Sequence, residues 1–399
     1  MKDHNRLNNC ILYVLAALFM CACNVFSFNS NSRGQPVKEE RTPTPDMDLL
    51  KLELPADFYF LDDYQIWRFN HVDETLEKIS KETRRIDSFD FSPASGMLVY
   101  IIDNQLILTD KDGKDRQVLR AGPSIPEISD DFLLERLNDP NHISGAIRTP
   151  HWSQDGRRVA FIENGLKIID LETNQVETLV ENRVTFGREL VIEKILSWSP
   201  DSHRFLISLY AIPLERLVER DITLFSEGDD FIGFPSANYE YNCGKLTFAW
   251  SPGSSRYYIA DACFGGLRSL IRCDIDDYCA LIGEERPAHT YYFHAHPFVI
   301  NDEELMVFIG SSGDDVTQPE RFRLYWMTYQ GYGFRELRKD AYVPESALWS
   351  PNGDGVLITL AQPTGEFETG SVLWLRVEDE PAILLPIKNP ENLRWGSSP

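Results

Sequence analysis

Trp198-Ser-Pro-Asp-Ser-His-Arg-Phe-Leu-Ile-Ser208 reads as the end of one strand, a tight turn and a second apolar strand. Pro presets the backbone for a turn, and Asp and Ser bond back to it. Close relatives stand at Phe91-Ser-Pro-Ala-Ser-Gly96, Trp152-Ser-Gln-Asp-Gly156, Trp250-Ser-Pro-Gly-Ser254 and Trp349-Ser-Pro-Asn-Gly353. A weaker copy, Phe298 to Ile309, keeps strand, polar turn and strand but lacks Trp-Ser-Pro. Positions 91, 152, 198, 250, 298 and 349 are separated by 61, 46, 52, 48 and 51 residues. A period near fifty with several short strands is the signature of a propeller.

Each turn is followed by a second strand (for example Leu98–Ile102 and Val356–Leu360) and a third (Leu106–Thr109, Val372–Val377). A short fourth is clearest at Gln117–Leu119 and Val176–Leu179. The predicted fold is therefore all-β, with blades of four antiparallel strands. Six turns give six blades, and the chain ends supply a further one. Phe58–Leu61, Gln65–Phe69 and Leu76–Ile79 read as second, third and fourth strands with no first strand before them. Leu393-Arg-Trp395-Gly reads as a first strand stopping at its turn. Pairing the two fragments would make seven blades and leave no bare edge. Six is the alternative, with Trp395 in a tail.

The Trp-Ser-Pro-Asp-Gly-like turns resemble the repeats of TolB-type propellers over roughly residues 55–399. In that resemblance the motif is structural: Phe91, Trp152, Trp198, Trp250, Trp349 and Trp395 fill the space between neighbouring sheets, and the following residues make the hairpin turn. It implies a periplasmic or surface scaffold that binds other molecules. TolB itself carries a separate N-terminal domain, whereas here only a linker precedes the blades, so TolB's partners are not carried over.

The first residues read as an address. Lys2 and Arg6 precede an apolar run from Cys10 to Cys23, the pattern of a secretory signal. Met20-Cys21-Ala22-Cys23 resembles a bacterial lipobox, with Cys23 as the lipidated residue. The alternative is an uncleaved anchor over Cys10–Phe28. Either reading places the body outside the cytoplasm, in or on the cell envelope. Residues 24–54 read as a linker: Asn29 to Asp48 is rich in Pro, Ser and charge and poor in large apolar residues, so it cannot offset chain entropy by burial. The chain has 399 residues, 43% hydrophobic, and a net charge of −23, which disfavours nucleic acid as a partner.

Strand direction sorts the turns by face. First and third turns fall at one end of a blade; second turns and blade-to-blade connections fall at the other. The Trp-Ser-Pro first turns are short. The long excursions are Ala121–Thr149, a connection, and Tyr210–Arg220, Gly310–Glu320 and Ala361–Gly370, all second turns. All four are therefore expected at one end, where recognition tends to sit. Ser129–Leu137 reads as a short capped helix within the first excursion, and Pro213–Arg220 as a second helical turn.

Four cysteines follow the signal region. Hairpin geometry pairs Cys243 with Cys263 about the turn near Gly253, and Cys273 with Cys279 about Asp276. Zinc is the alternative, although no Cys-x-x-Cys knuckle is present. His289, His294 and His296 crowd one first strand. His294 and His296 would share a face by the two-residue period, and with His151 they could line the channel and hold a divalent metal. Ordinary hydrogen-bonded histidines fit the same pattern. Asp110-Lys-Asp-Gly-Lys-Asp115 reads as a hairpin turn rather than a calcium loop. No Gly-x-Ser-x-Gly, His-Glu-x-x-His or phosphate-loop motif occurs. Together these features predict a scaffold without cofactor that binds a protein, peptide or glycan of the envelope. The alternative is a metal-dependent enzyme resembling the propeller lyases, acting at the channel through His289, His294 or His296.

Overall fold

Short apolar strands separated by tight turns can bury both faces only if sheets stack against one another. The computed structural model describes residues 52–123, 145–185, 188–213, 219–226, 246–261, 270–275, 279–282, 290–297, 304–311 and 321–397, and among them every regular element is a strand. The strands form seven four-stranded antiparallel sheets.

Five of these are runs of consecutive strands with the expected up-down order. They are β4–β7 (Ile86–Ser92, Met97–Ile102, Gln105–Asp110, Gln117–Ala121) and β8–β11 (Arg148–Trp152, Arg158–Ile162, Gly165–Asp170, Gln175–Glu181). Next are β16–β19 (Leu246–Trp250, Arg256–Asp261, Leu270–Asp274, Cys279–Ile282) and β20–β23 (Thr290–Pro297, Glu304–Ser311, Phe322–Thr328, Arg335–Glu336). The fifth is β24–β27 (Pro344–Trp349, Gly355–Leu360, Ser371–Arg376, Ile383–Lys388). Second strands are buried almost end to end, as in β25, whereas outer strands such as β3 (Thr75–Lys78) are exposed throughout. That gradient explains why the second strands are unbroken apolar runs in the sequence.

The sheet of β12 (Arg183–Thr185), β13 (Arg188–Trp198), β14 (Arg204–Pro213) and β15 (Glu219–Ser226) is a sixth continuous run, built differently. Its extra member, β12, pairs with the opening residues of β13, Arg183 opposite Leu190 and Thr185 opposite Arg188. The inner hairpin is long: β13 and β14 pair from Arg188–Pro213 down to Trp198–Phe205. Pro213 and residues 219–220 thus lie at strand ends, and the rest of the helical turn expected at Pro213–Arg220 lies outside the described residues. The Ser129–Leu137 helix lies outside the described residues.

The seventh sheet is composite. β28 (Glu391–Trp395) pairs with β1 (Phe58–Asp62), Phe58 opposite Trp395, ahead of β2 (Gln65–Asn70) and β3. Seven hydrophobic clusters occupy the gaps between successive sheets. One joins Tyr59 and Leu61 to Phe91 and Tyr100; another joins Leu357 and Trp374 to Phe58, Leu393 and Trp395. Seven sheets with seven such interfaces make a closed ring, the β-propeller expected from the repeats. Before β1, Leu52, Leu54 and Ala56 are buried in the cluster beside β26 and β27, and Glu53 pairs with Arg376. Each large apolar side chain so buried stabilises by roughly 1.5–3 kcal/mol.

Candidate functional site: a ring with two unlike ends

The short-turn end is held together by the repeat motif itself. In each described copy the aromatic packs against the preceding sheet: Phe91 stacks on Tyr59, Trp152 packs with Val99 and Ile101, Trp250 with Leu206, Trp349 with Phe308, and Trp395 with Trp374. Trp198, half-buried, packs on the cluster of Ala160 and Ile168. The serine that follows is buried and closes the turn. The hydroxyls of Ser153, Ser199, Ser251 and Ser350 accept the N–H groups of Arg158, Arg204, Arg256 and Gly355. Those of Ser153 and Ser199 also donate to Asp155 and Asp201.

The turn closes on a left-handed residue in these five copies, at the fifth motif position in four, with φ of 69° at Gly156, 60° at Ser202, 56° at Ser254 and 73° at Gly353, and one residue later in the first, with 68° at Gly96. Glycine adopts that conformation without strain. The two serines are placed where a hydroxyl is used. Ser202 accepts the N–H of Gln154 (3.1 Å) and Ser254 that of Asp201 (2.9 Å), each from the preceding turn. The side chains of Arg158 and Arg204 reach the carbonyls of the same two serines. The described motif turns of this rim are thus bonded within and between themselves.

The inner strands show the same economy. Asp90 on β4, only 7% exposed, accepts hydrogen bonds from Arg394 Nε of β28 (2.6 Å) and from the Trp152 N–H of β8 (2.9 Å). His151 Nδ1 stands 4.0 Å from Asp90. Burial lowers the His151 pKa, a pull that Asp90 partly opposes. Trp395 Nε1 donates to the carbonyl of Trp349, Gly396 N to that of Asp57, and Ser397 Oγ to that of Pro93. The closing strand is thus fastened to both neighbours.

The His296 ring stacks on Trp349 of the next sheet, centroids 4.9 Å apart and planes 13° apart, and its buried Nε2 has no hydrogen-bond partner among the described residues. Burial pushes its pKa down to about 4. A register shift between Phe293 and His296 interrupts the alternation on which a shared face for His294 and His296 was expected, and Pro297 rather than Phe298 stands opposite Leu305. His289 and Phe298 lie outside the described residues, and of His294 only its place in β20 is described. Among the described residues no three His, Cys, Asp or Glu side chains come together in a way that could hold a metal.

Cys273 and Cys279 are joined by a disulfide across the third turn of their sheet, directly opposite one another in the ladder. Cys243, Cys263 and the proposed lipid attachment at Cys23 lie outside the described residues. Asp110–Asp115 forms a hairpin turn in which the Asp110 carboxylate accepts the N–H groups of Asp112 and Lys114.

The opposite, long-turn end is anchored without a repeated motif. Asp103 and Asn104, both left-handed at 51° and 58°, make the second turn between β5 and β6. The buried Asn104 amide clasps both stems of the longest excursion. It donates to the carbonyls of Pro123 (2.8 Å) and Gly145 (3.0 Å) and accepts the N–H of Ile147 (2.6 Å). Asn164, in the equivalent turn of the next sheet, accepts the N–H of Gly145. Beside it Glu163, 5% exposed, binds Arg120 and Lys167. Burial raises the Glu163 pKa, but the two cations outweigh that and hold it below the usual carboxylate value. The 361–370 excursion folds on itself, Thr364 and Phe367 exchanging backbone hydrogen bonds. Asn104 was missed in the sequence; an Asp-Asn pair between two apolar runs is a turn signal, but nothing local shows that its amide meets residues 19 and 41 positions on.

No protein-family model matches the sequence, and no curated protein matches it. Similar solved structures include TolB from Acinetobacter baumannii, at 12% identity and TM-score 0.43, over 84% of this chain and 79% of that one. A functionally unknown protein from Desulfotomaculum acetoxidans is similar at 9% identity and TM-score 0.48, over 86% of this chain and 100% of that one. Dipeptidyl peptidase 4 from Porphyromonas gingivalis is similar at 12% identity and TM-score 0.49, over 80% of this chain but 48% of that one. The fold reading rests on the sheet topology described above.

Proposed function

We propose that this is an exported, membrane-tethered propeller that works as a scaffold, binding a protein, peptide or glycan of the envelope through its long-turn end without catalysis. The observation that carries the proposal is the sorting of the two ends. Four excursions, Ala121–Thr149, Tyr210–Arg220, Gly310–Glu320 and Ala361–Gly370, join strand ends at one end of their sheets, while the span 227–245, which follows β15 at the other end, lies outside the described residues. At that other end the described turn serines and two of the motif arginines are already bonded within the ring. Rigid scaffolds place recognition on such loops. Export rests on the charged and apolar N-terminal pattern ending at Cys23, and the disulfide fits an oxidising compartment.

Photo-crosslinking tests it. A crosslinking side chain at Glu366, in a long turn, or at Asn352, in a short one, is compared in whole envelopes. Discrete adducts from Glu366 and none from Asn352 are expected. The reverse pattern would end this reading.

A further inference from the structure

Between the composite sheet and its neighbour, β4–β7, lies a cavity of about 110 Å³, bordered by the connection that follows β3. That is room for about four waters by liquid volume. Its walls differ in chemistry. Ile66, Ile79 and Leu98 give it apolar sides, continuous with the cluster that joins the two sheets. Tyr100 and Thr109 bring hydroxyls to it. On β6, Leu106 and Leu108 pack toward the β8–β11 sheet and Ile107 toward the composite sheet. The two-residue period therefore turns Thr109 toward the composite sheet and the cavity. Thr109 stands opposite Leu98 in the ladder, is 1% exposed, and its Oγ1 has no hydrogen-bond partner among the described residues. A buried hydroxyl in that state is costly, and a ligand group that meets it recovers the cost.

The remaining wall is charged. Glu82 accepts hydrogen bonds from the Tyr100 hydroxyl (2.6 Å) and from Arg116 Nε (2.8 Å). The phenol proton is thereby committed and the carboxylate matched, while most of the Arg116 N–H groups are left over. Lys81, exposed at the edge of the cavity, has no ion pair among the described residues. With Glu82 set against Arg116, Lys81 gives the lining an excess of positive charge, in a chain whose net charge is −23.

We infer that this cavity binds a hydroxylated short-chain carboxylate. Its carboxylate meets Arg116 and Lys81, as a charge-assisted contact. Its hydroxyl meets Thr109, and its carbon chain lies along Ile66, Ile79 and Leu98. The site uses none of the four excursions, so it stands or falls apart from the macromolecular recognition proposed above.

The test uses the purified full chain and three matched probes: β-hydroxybutyrate, butyrate, which lacks the hydroxyl, and the corresponding diol, which lacks the carboxylate. Binding is read by ligand-observed saturation-transfer NMR. A dissociation constant below about 1 mM is expected for β-hydroxybutyrate, with the other two at least about tenfold weaker. Thr109→Val keeps the shape and removes the unpartnered hydroxyl. It should melt no lower than the parent and bind β-hydroxybutyrate no better than butyrate. Lys81→Gln leaves the Glu82 contacts intact and should weaken both carboxylates by about threefold or more, without changing the diol. Three results would each overturn the site: no saturable binding of β-hydroxybutyrate up to about 10 mM, equal affinity for β-hydroxybutyrate and butyrate in the parent, or a Thr109→Val variant that binds β-hydroxybutyrate as the parent does.

Discussion

The two ends of this ring solve different problems with the same strands. At the short-turn end the sequence repeats, and each described turn serine closes its own turn while two of the turns bond the next. At the long-turn end each sheet differs: a two-residue Asp-Asn turn, a clasped excursion, a self-bonded loop, and a hairpin enlarged by β12. Repetition marks the end whose turns bond to one another; variation marks the end proposed above for recognition. If that contrast is real, substitutions at the two ends should fail in different ways.

The largest effect is expected from ending the chain before Glu391. Loss of β28 exposes the edge of β1 and removes Leu393 and Trp395 from the core. Cooperative thermal unfolding should disappear; a truncated chain that still melts sharply near the parent temperature would show that the ring does not need its closing strand. Trp395→Ala should follow at about 3–5 kcal/mol, from a buried indole lost and a cavity left, read as a shift in the denaturant midpoint with unchanged slope.

A pH titration comes next. The His296 pKa is near 4 in the folded ring, against an ordinary value near 6.5, so the unfolded chain binds more protons between those values. The contribution of neutral His296 is therefore complete above about pH 6.5 and is lost as pH falls through about 4. Stability should decline over that window more in the parent than in His296→Phe, by about 3 kcal/mol. His151, shifted in the same direction by burial, leaves part of the slope in the variant.

Smaller effects separate the ends. Ser202→Ala should cost about 1–2 kcal/mol, because the Gln154 N–H loses its acceptor while the left-handed strain persists. Ser202→Gly loses the same bond but relieves the strain, and should lie within about 0.5 kcal/mol of the parent. Equal losses in both would mean the hydroxyl carries the whole effect. Asn104→Ala should cost about 1–3 kcal/mol, because the buried Ile147 N–H and the carbonyls of Pro123 and Gly145 lose their partner, and should also speed proteolytic cleavage within residues 124–144. Unchanged cleavage there would show that the clasp does not hold the stems of that excursion.

What the sequence disclosed was local or repeated. The Trp-Ser-Pro turns, the apolar second strands and the Cys273–Cys279 pair could be read because hairpin partners lie close in the chain, and the end fragments, though far apart, because each is an incomplete copy of the repeat. What stayed hidden depends on distant partners. Arg338 sits in Leu-Arg-Lys-Asp, which reads as surface charge. Yet its buried guanidinium donates to the carbonyls of Arg376, Glu378 and Glu380 and to Asp340. The Phe293–His296 register shift is one extra residue, invisible without the facing strand, and it altered the reading of His296. β12 lies in a stretch with no turn signal but Gly187. The long-turn end was legible as a place, through strand direction, but not as a set of contacts, because its clasps join residues far apart in the chain.

Amide hydrogen exchange on residues 391–395 addresses ring closure most directly. If β28 is an integral strand, the amides it pairs with β1 should exchange as slowly as those of β5, Met97–Ile102, and only through global unfolding. Exchange at the rate of a frayed terminus, with β5 still protected, would contradict a ring shut by its last strand.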